Sequence, residues 1–292
     1  LSFENETEKA GRECEIIDVH IHITPGEVIS RENKYRKNEP YFDLLSSNPK
    51  NKFSTADEVV AELDEEGIDR AVVFGFAFQN QDNCRFVNDY TLASVEKYPE
   101  RLIGMAVVNP LAEGAAAEVR RCLEAGLKGV GEMFPEGQGF DLKSRSQLEE
   151  IAEICREFAV PLMVHLNEPV GHEYPGKTCD SIECGAKLAE NFPDNHFIFS
   201  HWGGGLFFYE LMPEMRESLK NVYYDTAASP FLYDKKIYQA AKSVDLINKV
   251  LLGSDFPLIS PGKYLEEMKG AGLTQAEISR IAGVNARELF DF

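Results

Sequence analysis

Short apolar runs alternate along this chain with longer stretches in which apolar positions recur every three or four residues. The short runs predict strands at 15–23, 70–76, 102–108, 127–133, 161–166, 196–201, 222–225 and 249–253, and the longer repeats predict helices at 56–66, 83–97, 112–125, 147–158, 182–191 and 205–219. Several helices carry a start signal: Thr55 with Glu58, Ser144 with Gln147 and Thr274 with Glu277 each fit a capping box, which satisfies free amides of the first turn. Gly67, Gly126 and Gly270 stand where a helix would end in a left-handed residue. Strands and helices in this alternation predict an α/β chain folded as a (β/α)8 TIM barrel, with 15–292 as one domain behind a short tail over 1–14. A doubly wound open sheet is the rival, but it would carry a glycine-rich phosphate turn after its first strand, and none is present.

The long interval with neither periodicity is 24–54, directly after the first strand. A loop of that length in a compact domain usually serves function. Its Arg31, Lys34, Tyr35, Arg36, Lys37, Tyr41 and Phe42 make it basic and aromatic within an acidic chain. It is expected to fold over the site as a lid and to supply a side chain to it. The formal charge of −19 repels nucleic acid and anionic membrane surfaces, so a small molecule is the expected partner, and a homodimer is compatible with a barrel. No apolar run approaches the roughly 18 residues of a membrane span. The first residues lack the basic and apolar segments of a signal peptide, and six scattered cysteines without a CxxC pair suit reduced thiols, so a cytoplasmic location is expected.

Candidate chemistry begins in the first strand, Ile16-Ile17-Asp18-Val19-His20-Ile21-His22-Ile23. Side chains alternate across a strand, so His20 and His22 share a face roughly 6.6 Å apart at Cα, a spacing that lets both rings meet one metal ion. Asp18 lies on the same face one step deeper, placed to orient a ring. In a barrel of this class, function gathers at the C-terminal strand ends. There stand His165 at the end of strand 5, His201 at the end of strand 6, Glu132 at the end of strand 4 and Asp255 after strand 8. His196 begins its strand at the opposite end and reads as structural.

These residues, together with Tyr98-Pro99-Glu100-Arg101-Leu102-Ile103-Gly104, Val108-Asn109-Pro110, 126–130 and the ending Gly283-Val284-Asn285-Ala286-Arg287-Glu288-Leu289-Phe290, resemble the amidohydrolase superfamily, in particular the branch holding aminocarboxymuconate-semialdehyde and resorcylate decarboxylases. The resemblance covers nearly the whole chain and implies a distorted metal-dependent barrel. It implies His20 and His22 as first-strand ligands, His165 as the strand-5 ligand and His201 as a ligand to a second ion or a contact to water or substrate. Asp255 would ligate the metal and take the proton of the attacking water. Zn²⁺ is the expected ion, one or two per chain, with Mn²⁺ or Fe²⁺ as alternatives; neutral imidazoles and a carboxylate suit such ions. Strand 4 departs from the many binuclear relatives that carry a carboxylated lysine. Here Glu132 is terminal and Lys128 lies deeper, so Glu132 is expected to reach the metal, bridging two ions, ligating one or hydrogen-bonding a neighbour.

The loop after strand 5, 167–177, adds His172 and Lys177 as candidate substrate-binding groups and Glu168 as a partner for His165. Trp202, followed by three glycines, is expected to wall the site. The expected activity is hydrolysis of a C–N or C–O bond in a small anionic substrate, with Asp255 and His201 as catalytic groups. Decarboxylation of an aromatic or enoic acid is the alternative, and a non-catalytic binding protein a third reading.

Overall fold

The computed structural model describes residues 14–48 and 51–291, so all of the expected tail except Cys14 lies outside the described residues. Eight strands appear where the apolar runs fall: β1 (Ile17–His22), β2 (Arg70–Phe74), β3 (Leu102–Gly104), β4 (Val130–Met133), β5 (Leu162–Val164), β6 (Phe197–Phe199), β7 (Val222–Asp225) and β8 (Val250–Leu251). They pair in parallel in sequence order as two ladders, β1 to β3 and β4 to β8. Backbone hydrogen bonds join the ladders at both seams. Ala106 N donates to Gly129 O (2.9 Å) and Gly131 N to Ala106 O (2.7 Å), while Val19 N donates to Leu252 O (2.7 Å) and His22 N to Phe256 O (2.9 Å). The result is a closed TIM barrel.

Alternation along the strands divides the core. Val72, Phe74, Ile103, Met163, Ile198 and Leu251 pack together inside the barrel, whereas their neighbours Ala71, Val73, Leu102, Leu162, Phe197 and Val250 pack against the surrounding helices. The helix Ala56–Glu66 starts at the Thr55–Glu58 capping box and ends at Gly67 with φ 66°, and Thr274 with Glu277 caps Gln275–Ser279. Three local expectations are corrected. Ser144 precedes the helix Arg145–Glu157, but its side chain caps nothing, and Gln147 instead accepts from Asp141 N (2.7 Å). The left-handed residue beyond Gly262–Gly270 is Gly272, φ 77°, not Gly270. The predicted helix 205–219 divides into a 3-10 turn, Leu206–Leu211, and the helix Pro213–Ser218, since Pro213 has no N–H with which to continue a helix.

The segment after β1 is not irregular but folds into three short helices, Gly26–Ser30, Glu32–Arg36 and Pro40–Ser46. Helices of this length show no periodicity a sequence window can register. They sit on the C-terminal side of β2: the Phe42 ring lies 5.1 Å from Phe76 and 5.0 Å from Phe78, and the Glu39 carboxylate accepts from Gln79 N (2.7 Å) and Asn80 N (2.8 Å). Three basic residues of the segment are paired within it, Arg31 and Lys34 with Glu27 and Arg36 with Glu32. Among the described residues no helix is long and apolar enough to cross a membrane.

Candidate metal centre

The first strand carries an irregularity that its sequence does not announce. The β1–β2 register shifts between Asp18 and Ile21, which interrupts strict alternation. Asp18 is therefore no ring-orienting partner for His20. Its Oδ1 accepts the backbone N–H groups of His20 (3.1 Å) and Ser254 (3.0 Å), tying β1 to the turn after β8, and burial pushes its pKa up to about 7. Asp225, at the end of β7, orients the ring instead. His20 Nδ1 donates to Asp225 Oδ2 (2.9 Å), whose Oδ1 accepts from His201 N (2.9 Å) and Ala227 N (3.0 Å). That leaves His20 Nε2 bare, fully buried and without a hydrogen-bond partner. A buried nitrogen in that state is costly unless a cation meets it.

The same logic fixes two more rings. His201 Nδ1 donates to Ala227 O (3.0 Å). His165 Nε2 donates to Asn167 Oδ1 (2.8 Å), and that amide is held the right way round because its Nδ2 donates to Thr178 Oγ1 (2.7 Å) and Asp180 O (3.2 Å). The remaining nitrogens, His201 Nε2 and His165 Nδ1, face one another at 3.2 Å. In neutral rings of these tautomers this is a lone pair against a lone pair, and a shared cation removes the repulsion.

Glu132 stands between the rings. Gly131 places it there: its φ is 131°, and a Cβ on it would lie 2.4 Å from Met163 O, so only glycine fits. Glu132 Oε1 lies 3.2 Å from His165 Nδ1 and 3.7 Å from His201 Nε2. Its Oε2 lies 3.7 Å from His20 Nε2 and 3.9 Å from His22 Nε2. Asp255 Oδ1 closes the second side, 3.3 Å from His22 Nε2 and 3.7 Å from His20 Nε2. The donors thus form two adjacent groups able to hold a metal ion, His20 with His22 and Asp255, and Glu132 with His165 and His201. His201 (φ 56°) and Asp255 (φ 63°) take left-handed backbone, a cost of about 1–3 kcal/mol each that their surroundings hold in place.

The electrostatics favour added positive charge. Burial alone would raise the pKa of Glu132, but the charges of His20, His165 and His201 hold it well below the usual carboxylate range. Asp255 is likewise lowered against its burial by His22, His20 and His201. Burial pulls His20 down, yet Asp225, Glu132 and Asp255 outweigh it and push its pKa up to about 10. Four imidazoles and two carboxylates gathered in two adjacent groups suit divalent first-row ions.

The other candidates lie elsewhere. Trp202, expected as a wall of the pocket, is a core residue: it is fully buried against Phe207 and Tyr238 and donates from Nε1 to Ser229 Oγ. Lys177 staples its own loop, with Nζ donating to Val170 O (3.1 Å) and His172 O (3.2 Å). His172 is exposed on that loop, its ring 5.5 Å from Tyr174, outside the cluster. Glu168 accepts from Tyr174 OH (3.2 Å), and Asn167 takes the role at His165 foreseen for it. Lys128 is exposed at the start of β4. His196 stands just before β6 at the far end, exposed, its ring 6.5 Å from that of Tyr223. Sequence reasoning singled out neither Asn167 nor Asp225; a carboxylate closing a strand, as Asp225 closes β7, is the signal that finds the second.

A family model for amidohydrolases matches residues 17–292. The chain belongs to the amidohydrolase family. A search of curated proteins finds no match. Among solved structures, this amidohydrolase is similar to 5-carboxyvanillate decarboxylase from Sphingomonas paucimobilis (TM-score 0.78, 15% identity, 95% of this chain and 99% of that one). It is also similar to a dihydroxybenzoic acid decarboxylase from Polaromonas, solved with manganese and 2-nitroresorcinol (0.70, 17%, 95% and 97%), and to 4-oxalomesaconate hydratase from Rhodopseudomonas palustris (0.68, 19%, 94% and 95%). At these identities the likeness establishes the barrel fold, shared by enzymes of more than one reaction class.

Proposed function

We propose that this amidohydrolase is a hydrolase with a two-ion centre bridged by Glu132, acting on a C–N or C–O bond of a small anionic substrate. The observation that carries the reading is the position of Glu132, with one carboxylate oxygen turned to each histidine group. Divalent ions held there, Zn²⁺ or Mn²⁺, supply Lewis acidity and bring the acidity of water near neutrality. The chain's own residues do the rest. Asp255, kept anionic and 16% exposed at the mouth beside His22, is placed to take a proton from the attacking water and to deliver it to the leaving group. His201 serves as a ligand through Nε2, because its other nitrogen is committed to Ala227 O. Asp225 and Asn167 keep the bare nitrogens of His20 and His165 turned inward.

Charge supports an anionic substrate only if two ions bind. Glu132, Asp255 and Asp225 crowd neutral imidazoles, so a single divalent ion leaves the centre net negative and a second makes it net positive. Decarboxylation is the second reading, favoured by the likeness to decarboxylases of aromatic acids. The test is a substrate panel of lactones, N-acyl amino acids and hydroxybenzoic acids offered to the metal-loaded protein. Hydrolysis with solvent oxygen appearing in the product supports the proposal, and release of CO₂ from the aromatic acids without any hydrolysis overturns it.

A further inference from the structure

Three segments that follow different strands meet on one carboxylate away from the metal-facing groups. Tyr41, in the helix Pro40–Ser46 after β1, donates its hydroxyl to Glu136 Oε1. Glu136, just after β4, accepts Cys179 N at Oε2 (2.7 Å) and donates its own N–H to Asp180 Oδ2 (2.9 Å), both in the loop after β5. From Asp180 the connection turns inward. Thr178 Oγ1 donates to Asp180 Oδ2 (3.2 Å) and accepts from Asn167 Nδ2 (2.7 Å), Asn167 N donates to Asp180 O (2.8 Å), and Asn167 Oδ1 accepts His165 Nε2 (2.8 Å). A second route runs through rings: Tyr41 lies edge-on to Phe134 at 4.9 Å, and Phe134 lies edge-on to His165 at 4.8 Å.

We propose that Tyr41 and Glu136 are positioning residues that couple docking of the segment Pro40–Ser46 to the orientation of the His165 ring. The inference rests on the reading of His165 as a metal ligand. Its physical basis is the pairing of two neighbouring carboxylates. Burial raises the pKa of Asp180 and the nearby Glu136 charge adds to that rise, while Glu136 is held low against its own burial by the hydrogen bonds from Tyr41 OH and Cys179 N. When the segment lifts, Glu136 loses the phenol. The repulsion then falls on Asp180, which holds Thr178, which holds the amide of Asn167 that fixes which nitrogen of His165 is bare. A lifted segment therefore loosens one ligand, and a docked one sets it. Neither Tyr41 nor Glu136 touches the donor groups, so the effect passes through other residues.

The test compares the full chain with Tyr41→Phe, which keeps the ring on Phe134 and deletes only the donor, and with Glu136→Gln as a second conservative change. Amide hydrogen exchange in Pro40–Ser46 is expected to quicken by about threefold to tenfold in Tyr41→Phe, the loss of one ordinary hydrogen bond. The decisive readout is the pair of ring-nitrogen shifts of His165 in ¹⁵N-histidine protein without metal, at a pH where the ring is neutral. The wild type should show the proton on Nε2, and both variants a mixture of tautomers. Zinc affinity should weaken by about threefold to tenfold in each, against about tenfold to a hundredfold for Asn167→Ala, which removes the direct partner. Faster exchange with unchanged His165 shifts and zinc affinity would overturn the coupling and leave Tyr41 a structural latch. No change in any of the three would overturn it as well. Should the wild type bind a single ion, the two-ion centre fails, while the His165 shifts, read without metal, still decide this proposal.

Discussion

His20, His22 and Asp255 come from β1 and the turn after β8; His20 is fully buried, but His22 is 28% and Asp255 16% exposed, so this group opens on one side. Glu132, His165 and His201 come from β4, β5 and β6 and lie deeper, each at 13% or less. The open group rests on one buried carboxylate, Asp225, whereas the enclosed group is oriented by Asn167 and by Ala227 O. The difference suggests a division of labour in which the enclosed side sets geometry and the open side, with its accessible carboxylate, meets water and substrate. Glu132 belongs to both sides, so damage to it should not stay local.

The largest expected effect comes from emptying the open side. His20→Ala combined with His22→Ala should remove most bound metal, measured by elemental analysis, with the circular dichroism of the barrel intact; full metal content in the double variant would refute the ligand assignment. Glu132→Gln should come next, lowering metal content at both groups and turnover by about a hundredfold or more, while Lys128→Met at the far end of the same strand leaves both unchanged. Equal losses from the two variants would show that position along β4 does not matter.

Asp225→Asn should weaken metal binding by about tenfold to a hundredfold, because an amide can present its N–H to His20 Nδ1 and turn the ring to the wrong tautomer. Turnover at saturating metal should recover in part, and failure of excess metal to restore anything would mean that Asp225 acts in folding alone.

The pH dependence separates the centre with and without metal. His20 is pushed up to about 10 in the metal-free protein, above its unfolded value of 6.5. Its contribution to stability is therefore fully present below pH 6.5 and is lost as pH rises through 10. Glu132 and Asp255 are lowered, so theirs is present above the ordinary carboxylate range and is lost as pH falls below that range through their lowered values. Thermal melts of the metal-free protein should peak between these limits and decline toward high pH. Metal binding must displace the His20 proton, so affinity should instead rise by about tenfold per pH unit over that range. Parallel profiles for the two forms would contradict the assignment. The smallest effects belong to Lys177→Met and His172→Ala, which should leave metal content unaltered and turnover within about a factor of two.

The strands and the donor residues were legible because each rests on a short-range pattern: an apolar run between capped helices, or a histidine closing such a run. The bulge in β1 was not, since Ile17 to Ile23 alternates evenly and only pairing with β2 shifts the register. Asp225 and Asn167 draw their roles from neighbours 205 and two positions away in the chain, and neither distance carries a spacing rule. Trp202 and Lys177 misled for the opposite reason: a side chain near the mouth in sequence spends its polar atom on Ser229 in one case and on its own loop in the other.

The central claim is that Glu132 joins two ions, and a crystal structure of the zinc- or manganese-loaded protein with anomalous data at the metal edge tests it directly. The account predicts two anomalous peaks, one beside His20, His22 and Asp255 and one beside His165 and His201, with a different oxygen of Glu132 about 2.0–2.2 Å from each if the metal is zinc. A single peak, with both Glu132 oxygens more than about 4 Å from it, would contradict the claim and return Glu132 to holding imidazoles in place.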